Sequence, residues 1–439
     1  MEEKLEEKLE EKYEENEVYR PRLADVVLKE QLAAAGMILV QGAKWCGKTT
    51  TARQQAKSVL YMNDPSIQEN IMHLAASSVG LLLEGATPRL IDEWQLVPQL
   101  WDAARFMVDR RGKDGQFIFT GSAVPPRRDK ITHTGTGRAA WITMRPMSLW
   151  ESGDSNGKVS LEDVFEGRFL QALADGNDLQ RMAFLLCRGG WPKAVGRSEK
   201  AALRQAYNYV DAVATQEIME VDDVRRDEQS TRKLLRSYAR HQASQASVAT
   251  IVADMRANEA TMLSENTVAS YLKALRMIFV VEDMEAWNPN LRSKSAIRTS
   301  DTRYFVDPSI ATAALRIGPK DLLRDMQTFG LLFETMAVRD LRVYAEVLDG
   351  RVYHFRDSNG LECDAVLHRN DGSYGLIEVK IGGEKYIEEG ARNLKLLASK
   401  IDTDRMPAPA FMMVLTAVGA FAYRREDGVL VVPISCLKN

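Results

Sequence analysis

A multidomain α/β chain, with a parallel nucleotide-binding sheet, a helical lid, a winged helix-turn-helix and a C-terminal α/β domain, is predicted by three observations. The apolar run Met37 to Val40 enters the loop Gly42-Ala43-Lys44-Trp45-Cys46-Gly47-Lys48-Thr49, which fits G-x-x-x-x-G-K-[ST] at every fixed position. Strand-like apolar runs then alternate with helical patterns as far as Met144, as in βα units. The chain of 439 residues, 45% hydrophobic and 27% charged, exceeds one ordinary core and suffices for three or four.

The loop is the centre of the reading. Gly42 and Gly47 allow the tight turn that aims backbone N–H groups and a helix N-terminus at phosphates. Ala43, Lys44, Trp45, Cys46 and Thr50 complete the cradle, Lys48 reaches the β- and γ-oxygens, and the Thr49 hydroxyl ligates Mg²⁺. The pattern implies a nucleoside triphosphate. A following helix is expected over Thr50 to Lys57, which contain neither Gly nor Pro.

The formal charge of −3 is unevenly spread. Met1 to Asn16 hold eight Glu and three Lys, leaving 53 acidic and 55 basic residues in the remainder. That near-neutral body neither requires nor forbids nucleic acid. Leu5, Leu9 and Tyr13 form a thin stripe on an otherwise charged helical extension. No run is long and apolar enough for a membrane span and no secretory leader is evident, so a cytoplasmic protein is expected. Cys46, Cys187, Cys363 and Cys436 lie far apart, a pattern unlike a disulfide framework or a zinc site.

In chain order, Tyr19-Arg20-Pro21-Arg22 opens the folded part and a helix follows over Ala24 to Ala35. Val59 to Met62 reads as a second strand and Ser66 to Leu83 as a helix. Pro88 to Glu93 forms a third strand ending in two carboxylates, like a Walker B element. One acid at such a tip holds Mg²⁺ and its neighbour orients the attacking water, which assigns Asp92 to the metal and Glu93 to catalysis. Gln116 to Ser122 is another buried strand, with Thr120 or Ser122 beside the γ-phosphate. A loop from Pro125 to Gly137 carries Arg127, Arg128 and Lys130, and Arg138 behind it is a candidate for transition-state charge, in cis or across a homo-oligomer boundary.

From Leu161 to about Arg226 the pattern is helical, interrupted by Gly189-Gly190-Trp191-Pro192. Helices over Lys233 to Gln242, Val248 to Met255 and Asn266 to Phe279, the last capped by Ser264, precede strands near Val280 and Tyr304. Three helices and a hairpin make a winged helix whose recognition helix would offer Asn266, Ser270, Lys273 and Arg276 to double-stranded DNA. The wing contains Arg292, Lys294 and Arg298. Further on, Asp364 lies in an apolar strand, Glu378 and Lys380 share a face of the next, and Glu334 lies on the preceding helix. Carboxylates and a lysine so disposed form the set used by metal-dependent phosphodiesterases.

The motifs named above, with Asp92-Glu93-Trp94-Gln95, Thr120-Gly121-Ser122, Gly137-Arg138 and Arg145-Pro146-Met147-Ser148, make the chain after Val18 resemble the prokaryotic AAA-type ATPases. These carry a C-terminal domain of unknown function with a restriction-endonuclease-like fold. Many members have Pro-Arg-Gln-Val or similar where this loop reads Ala43-Lys44-Trp45-Cys46, a departure that leaves the phosphate ligands intact. The resemblance implies ATP binding with hydrolysis and supplies no substrate. The expected units are a charged extension (1–18), an ATPase core (19–155), a lid (156–228), a winged helix (229–317) and a nuclease-like domain (318–439). The expected function is a Mg²⁺-dependent ATPase that controls the winged-helix and nuclease-like module. The alternatives are an ATP-regulated DNA endonuclease and a DNA-binding or protein-binding scaffold that holds ATP without hydrolysing it.

Overall fold

A computed structural model describes residues 19–122, 137–176, 178–219, 221–222, 224–260, 262–291 and 300–439. The N-terminal Glu/Lys repeat, most of the loop after Ser122 and the basic stretch with Arg292, Lys294 and Arg298 lie outside the described residues.

Strands β1 (Met37–Gln41), β2 (Ser58–Tyr61), β3 (Arg89–Asp92), β4 (Phe117–Gly121) and β5 (Ala139–Thr143) form a parallel sheet in the order β2-β3-β4-β1-β5. Successive side chains of a strand point to opposite faces, and both faces are covered. Ile38, Val40, Leu90 and Ile118 pack on helix α1 (Leu23–Ala34) and the phosphate-loop helix α2 (Lys48–Arg53). Met37, Leu39, Ile91, Phe117 and Phe119 pack on α3 (Gln68–Ser78) and α4 (Gln99–Arg111). The sheet thus brings the tips of β1, β3 and β4 together at one edge. The expected helix to Lys57 is shorter, since α2 ends at Arg53 and β2 already starts at Ser58.

The next stretch departs from the expected helical run. Val159–Ser160 (β6) pairs with Leu437–Lys438, and Ala172–Leu173 (β7) pairs with Phe421 and Ala422, with a five-residue helix α5 (Leu161–Phe165) between them. Both pairings span more than two hundred residues of sequence, so no local periodicity signals them. Helices α6 (Leu179–Arg188), α7 (Glu199–Thr215), α8 (Glu228–Arg240), α9 (Val248–Glu259) and α10 (Glu265–Met277) make up the helical middle region. Asp178, Asp227, Ser247 and the expected Ser264 each cap a helix N-terminus by accepting a backbone N–H. After α10 the chain crosses itself through single antiparallel bridges, Val281 with Phe305 and Met284 with Thr302, and enters α11 (Pro308–Leu315).

A short helix α12 (Pro319–Leu322) and the long helix α13 (Met326–Val347) lead into β8 (Gly350–Arg356), β9 (Glu362–Arg369) and β10 (Tyr374–Lys380), then α14 (Glu384–Lys400), β11 (Phe411–Thr416), β12 (Phe421–Arg424) and β13 (Leu430–Pro433). Their mixed sheet runs β7-β12-β13-β11-β10-β9-β8.

The middle region, α13 and one face of the mixed sheet share a continuous apolar core that extends to Leu23 of α1. Arg339 of α13, its side chain 1% exposed, donates to Asp307 at 2.8 Å and through two N–H groups to one oxygen of Asp340 at 2.9 and 2.7 Å. Breaking a buried ion pair leaves uncompensated charge and costs about 3–5 kcal/mol. We expect Arg339→Met to lose that much stability by equilibrium urea unfolding, and a loss within about 0.5 kcal/mol of zero would refute this weight.

Candidate functional site

The phosphate loop needs its glycines for two separate reasons. Gly42 has a φ of +148° and a side-chain carbon there would meet the Met144 carbonyl at 2.0 Å. Gly47, in the left-handed region at +103°, reverses the chain into the N-terminus of α2. Lys48 donates to the carbonyls of Gly42 and Ala43, both at 2.9 Å, so its ammonium lies within the turn of the loop.

Parallel register places the acids of β3 beside this loop. Thr49 Oγ1 donates to Asp92 Oδ1 at 2.7 Å, and Thr120 Oγ1 on the neighbouring strand donates to the same oxygen at 2.5 Å. Glu93 follows in the left-handed region, φ +55°, a conformation that costs a non-glycine residue about 1–3 kcal/mol. Burial pushes its carboxyl above the ordinary glutamate range, partly offset by a hydrogen bond from Gln95 and the charge of Lys48. Gln95 Oε1 is buried without a hydrogen-bond partner among the described residues. Ser122 is half-buried at the end of this row, immediately past β4.

A cavity of about 570 Å³ opens over these groups, bounded by Lys44, Trp45 and Gly47 to Thr51, by Asp92 and Glu93, and on its other side by Tyr19, Arg20 and Lys193. Arg22 closes the loop from behind, donating to the Cys46 carbonyl and the Arg145 carbonyl at 2.8 Å each and to Glu151 at 3.0 Å. Tyr19 donates to Asp25 at 2.6 Å and lies 3.1 Å from Thr51 Oγ1. These supporting roles of Tyr19, Arg22 and Gln95 were not assigned from sequence. The visible signal was two arginines and a tyrosine set just ahead of the first helix, and a glutamine two residues after Glu93.

The variable loop positions face the helical region. Lys44 pairs with Glu217 at 2.5 Å, and Trp45, 41% exposed, meets Tyr209 of α7 edge-on at 5.6 Å. Tyr209 stacks in turn on Trp191 at 4.2 Å. Cys46 is fully buried, its thiol donating to the Met144 carbonyl at 3.3 Å, and Thr50 is exposed at the cavity rim.

Arg138 requires a correction. It precedes β5, and its carbonyl accepts from Met37 N at the start of β1, whereas the loop follows the end of β1. A five-residue strand separates those ends by about 15 Å. Arg138 is therefore on the edge of the sheet opposite the phosphate loop, where it pairs with Asp109 at 2.7 Å, and within one chain it does not reach the site.

Of the two cations expected to face DNA from α10, Arg276 is engaged in an ion pair. It pairs with Asp283 at 2.5 Å, and Asp222, whose carboxyl is held below the usual range chiefly by the hydrogen bond from Arg226, also feels the charge of Lys273. The C-terminal set does assemble, but around the lysine. Lys380 is 2.6 Å from Glu378 and 3.4 Å from Asp364, Val379 N donates to Asp364 at 2.8 Å, and Glu334 accepts from Tyr304 at 2.6 Å. Burial and the nearby Asp364 charge raise both Glu334 and Glu378 above the ordinary carboxylate range. Among the described residues no three acid, His or Cys side chains are grouped so as to hold a metal ion. As arranged here, the Lys380 ammonium is between the Glu378 and Asp364 carboxylates, and Glu378 Oε1 is buried without a hydrogen-bond partner among the described residues. Among the described residues no helix is long and apolar enough to cross a membrane.

Comparison with known proteins divides the chain into three matched segments. Residues 34–152 match an AAA domain, residues 179–321 a domain of unknown function (DUF8612), and residues 329–437 a domain of unknown function (DUF4143). The "Uncharacterized protein Rv2008c" of Mycobacterium tuberculosis and the "Uncharacterized protein Mb2031c" of Mycobacterium bovis are each 23% identical over 356 residues, 80% of this chain and 72% of theirs. Among solved structures, the Walker-type ATPase PABY2304 of Pyrococcus abyssi is 16% identical with a TM-score of 0.43, over 67% of this chain and 94% of that one. The chain thus carries an AAA-type P-loop domain followed by DUF8612 and DUF4143 domains.

The position of Arg138 yields a direct test. We expect Arg138→Ala to keep wild-type nucleotide turnover per chain, assayed at concentrations where chains do not associate. A loss of a hundredfold or more would return the residue to the reaction centre.

Proposed function

We propose that the chain binds ATP in the 570 Å³ cavity and hydrolyses it with Mg²⁺, and that the nucleotide state acts on the helical and C-terminal domains. The observation that carries this reading is the pair of acids at the tip of β3: Asp92 tied to the loop residue Thr49, and Glu93 half-buried next to it. Thr49 Oγ1 and the Asp92 carboxylate are hard oxygen donors already in contact, a set that suits Mg²⁺, with waters and phosphate oxygens completing its shell. Mg²⁺ held by these two oxygens would supply positive charge against that developing on the phosphate oxygens.

The remaining chemistry rests on the chain's own groups. The N–H groups from Ala43 to Thr49 and the Lys48 ammonium receive the β- and γ-phosphates. Glu93, held by the Gln95 amide, accepts a hydrogen bond from the attacking water. The Thr120 hydroxyl fixes the Asp92 rotamer. Lys44 and Trp45 give the loop contacts with Glu217 and Tyr209, through which phosphate binding can bear on the helical region.

Lys48→Ala is expected to abolish ATP binding by calorimetry. Glu93→Gln is expected to retain binding and lower turnover by about 10²–10⁴-fold, the range for loss of a general base. Normal turnover in Glu93→Gln would sink the assignment. Because burial raises the Glu93 carboxyl, its base form is lost as pH falls through a range above that of an ordinary glutamate. Turnover should therefore decline at higher pH than a solvent-exposed carboxylate would dictate, and a profile flat to the ordinary glutamate range would contradict that role. Asp364→Ala is expected to leave ATP turnover unchanged, which separates the C-terminal set from the ATPase centre.

A further inference from the structure

A second cavity, of about 230 Å³, lies where α7, α8 and the end of α11 meet, and shares no lining residue with the nucleotide cavity. Four guanidiniums converge on it: Arg204 from α7, Arg232 and Arg236 from α8, and Arg316 at the end of α11. Its floor is apolar, with Leu235 and Ala313. Two of the four cations are compensated. Arg232 pairs with Glu228 at 2.9 Å and at 2.6 Å with Asp211, which itself lines the cavity, and Arg236 pairs with Glu259 at 2.6 Å. Among the described residues, neither Arg204 nor Arg316 has an ion pair with a carboxylate. Arg316 is moreover held at a φ of +57°, in the left-handed region, where a non-glycine residue is disfavoured.

With Arg232 and Arg236 balanced by their acids, the uncompensated charge at this concave space is that of Arg204 and Arg316, and a compact anion relieves the repulsion between them. The planar guanidinium forms paired hydrogen bonds with phosphate oxygens, and the cavity holds a phosphoryl group with a short carbon stem. We propose that this cavity is a binding site for a phosphoryl group, free or carried by a small metabolite, separate from the ATP site.

The test is calorimetric titration of Lys48→Ala protein, whose phosphate loop is disabled, with inorganic phosphate and with ribose 5-phosphate. Wild-type protein saturated with a non-hydrolysable ATP analogue serves in its place where the variant is unstable. One-site binding is expected, weakening as salt is raised. It should fall at least tenfold in Arg204→Gln/Arg316→Gln, whose exposed side chains leave the fold intact by circular dichroism. Equal affinity for the two probes assigns the site to the free anion, and tighter binding of the ester assigns it to a phosphorylated carrier. Binding of neither probe, or binding undiminished by the double substitution, overturns the proposal.

Discussion

The buried ion cluster around Arg339 is the constraint on which the arrangement of the chain depends. Its two acids do more than neutralise it. Asp307 also accepts the Gly190 N–H at 2.9 Å and the Ser309 hydroxyl at 2.6 Å, and Asp340 accepts the Leu149 N–H at 3.0 Å. Four segments are thereby tied at one point: α13, the start of α11, the Gly189–Trp191 loop and the chain leaving the parallel sheet. Apolar packing alone is tolerant of sliding, whereas desolvated charges are stable only when every hydrogen bond is made, so the cluster fixes a register that the surrounding core does not.

Two further contacts carry that order to the edge of the nucleotide cavity. Arg145, just past β5, pairs with Glu282 at 2.6 Å and with Glu346 at 3.0 Å. Burial opposes ionisation of Glu282, but the guanidiniums of Arg145 and Arg342 outweigh it and hold the carboxyl down at about 2. The pairing is thus retained at neutral pH and lost only as pH falls from the ordinary glutamate range toward 2. On the other side, Trp191 donates to Ser309 at 2.9 Å and stacks on Tyr209, which touches Trp45 of the phosphate loop. The loop's bulkiest side chain therefore rests on the same residues that the Arg339 cluster organises.

How much of this the sequence disclosed depended on the range of the interaction. The strand, loop and helix around Lys48 are local, and the βα rhythm, the Ser264 cap and the alternation in Glu362–Arg369 and Tyr374–Lys380 were legible from neighbouring residues. The placing of Asp92 against Thr49 followed from the regular geometry of a parallel sheet. The placing of Arg138 at the site within one chain failed because proximity in the motif order says nothing about which end of a strand a residue occupies. The strands at Val159 and Ala172 were hidden because their partners lie near the C-terminus. For Asp364, Glu378 and Lys380, pleat parity correctly brought the side chains together. Parity carries no information on whether the acids would gather round a metal ion or, as here, round the lysine ammonium.

The pairing of Ala172–Leu173 with β12 also sets a limit on how the molecule can be divided. The C-terminal sheet takes one of its seven strands from a segment that precedes the whole helical middle region. A fragment cut after α11 would leave β12 as an unprotected edge, with Phe421 ready to pair with another chain. The last hundred or so residues are thus not a detachable cassette. Any exchange of this unit between proteins has to carry the 159–173 segment with it, which makes the two distant stretches of sequence one unit of inheritance.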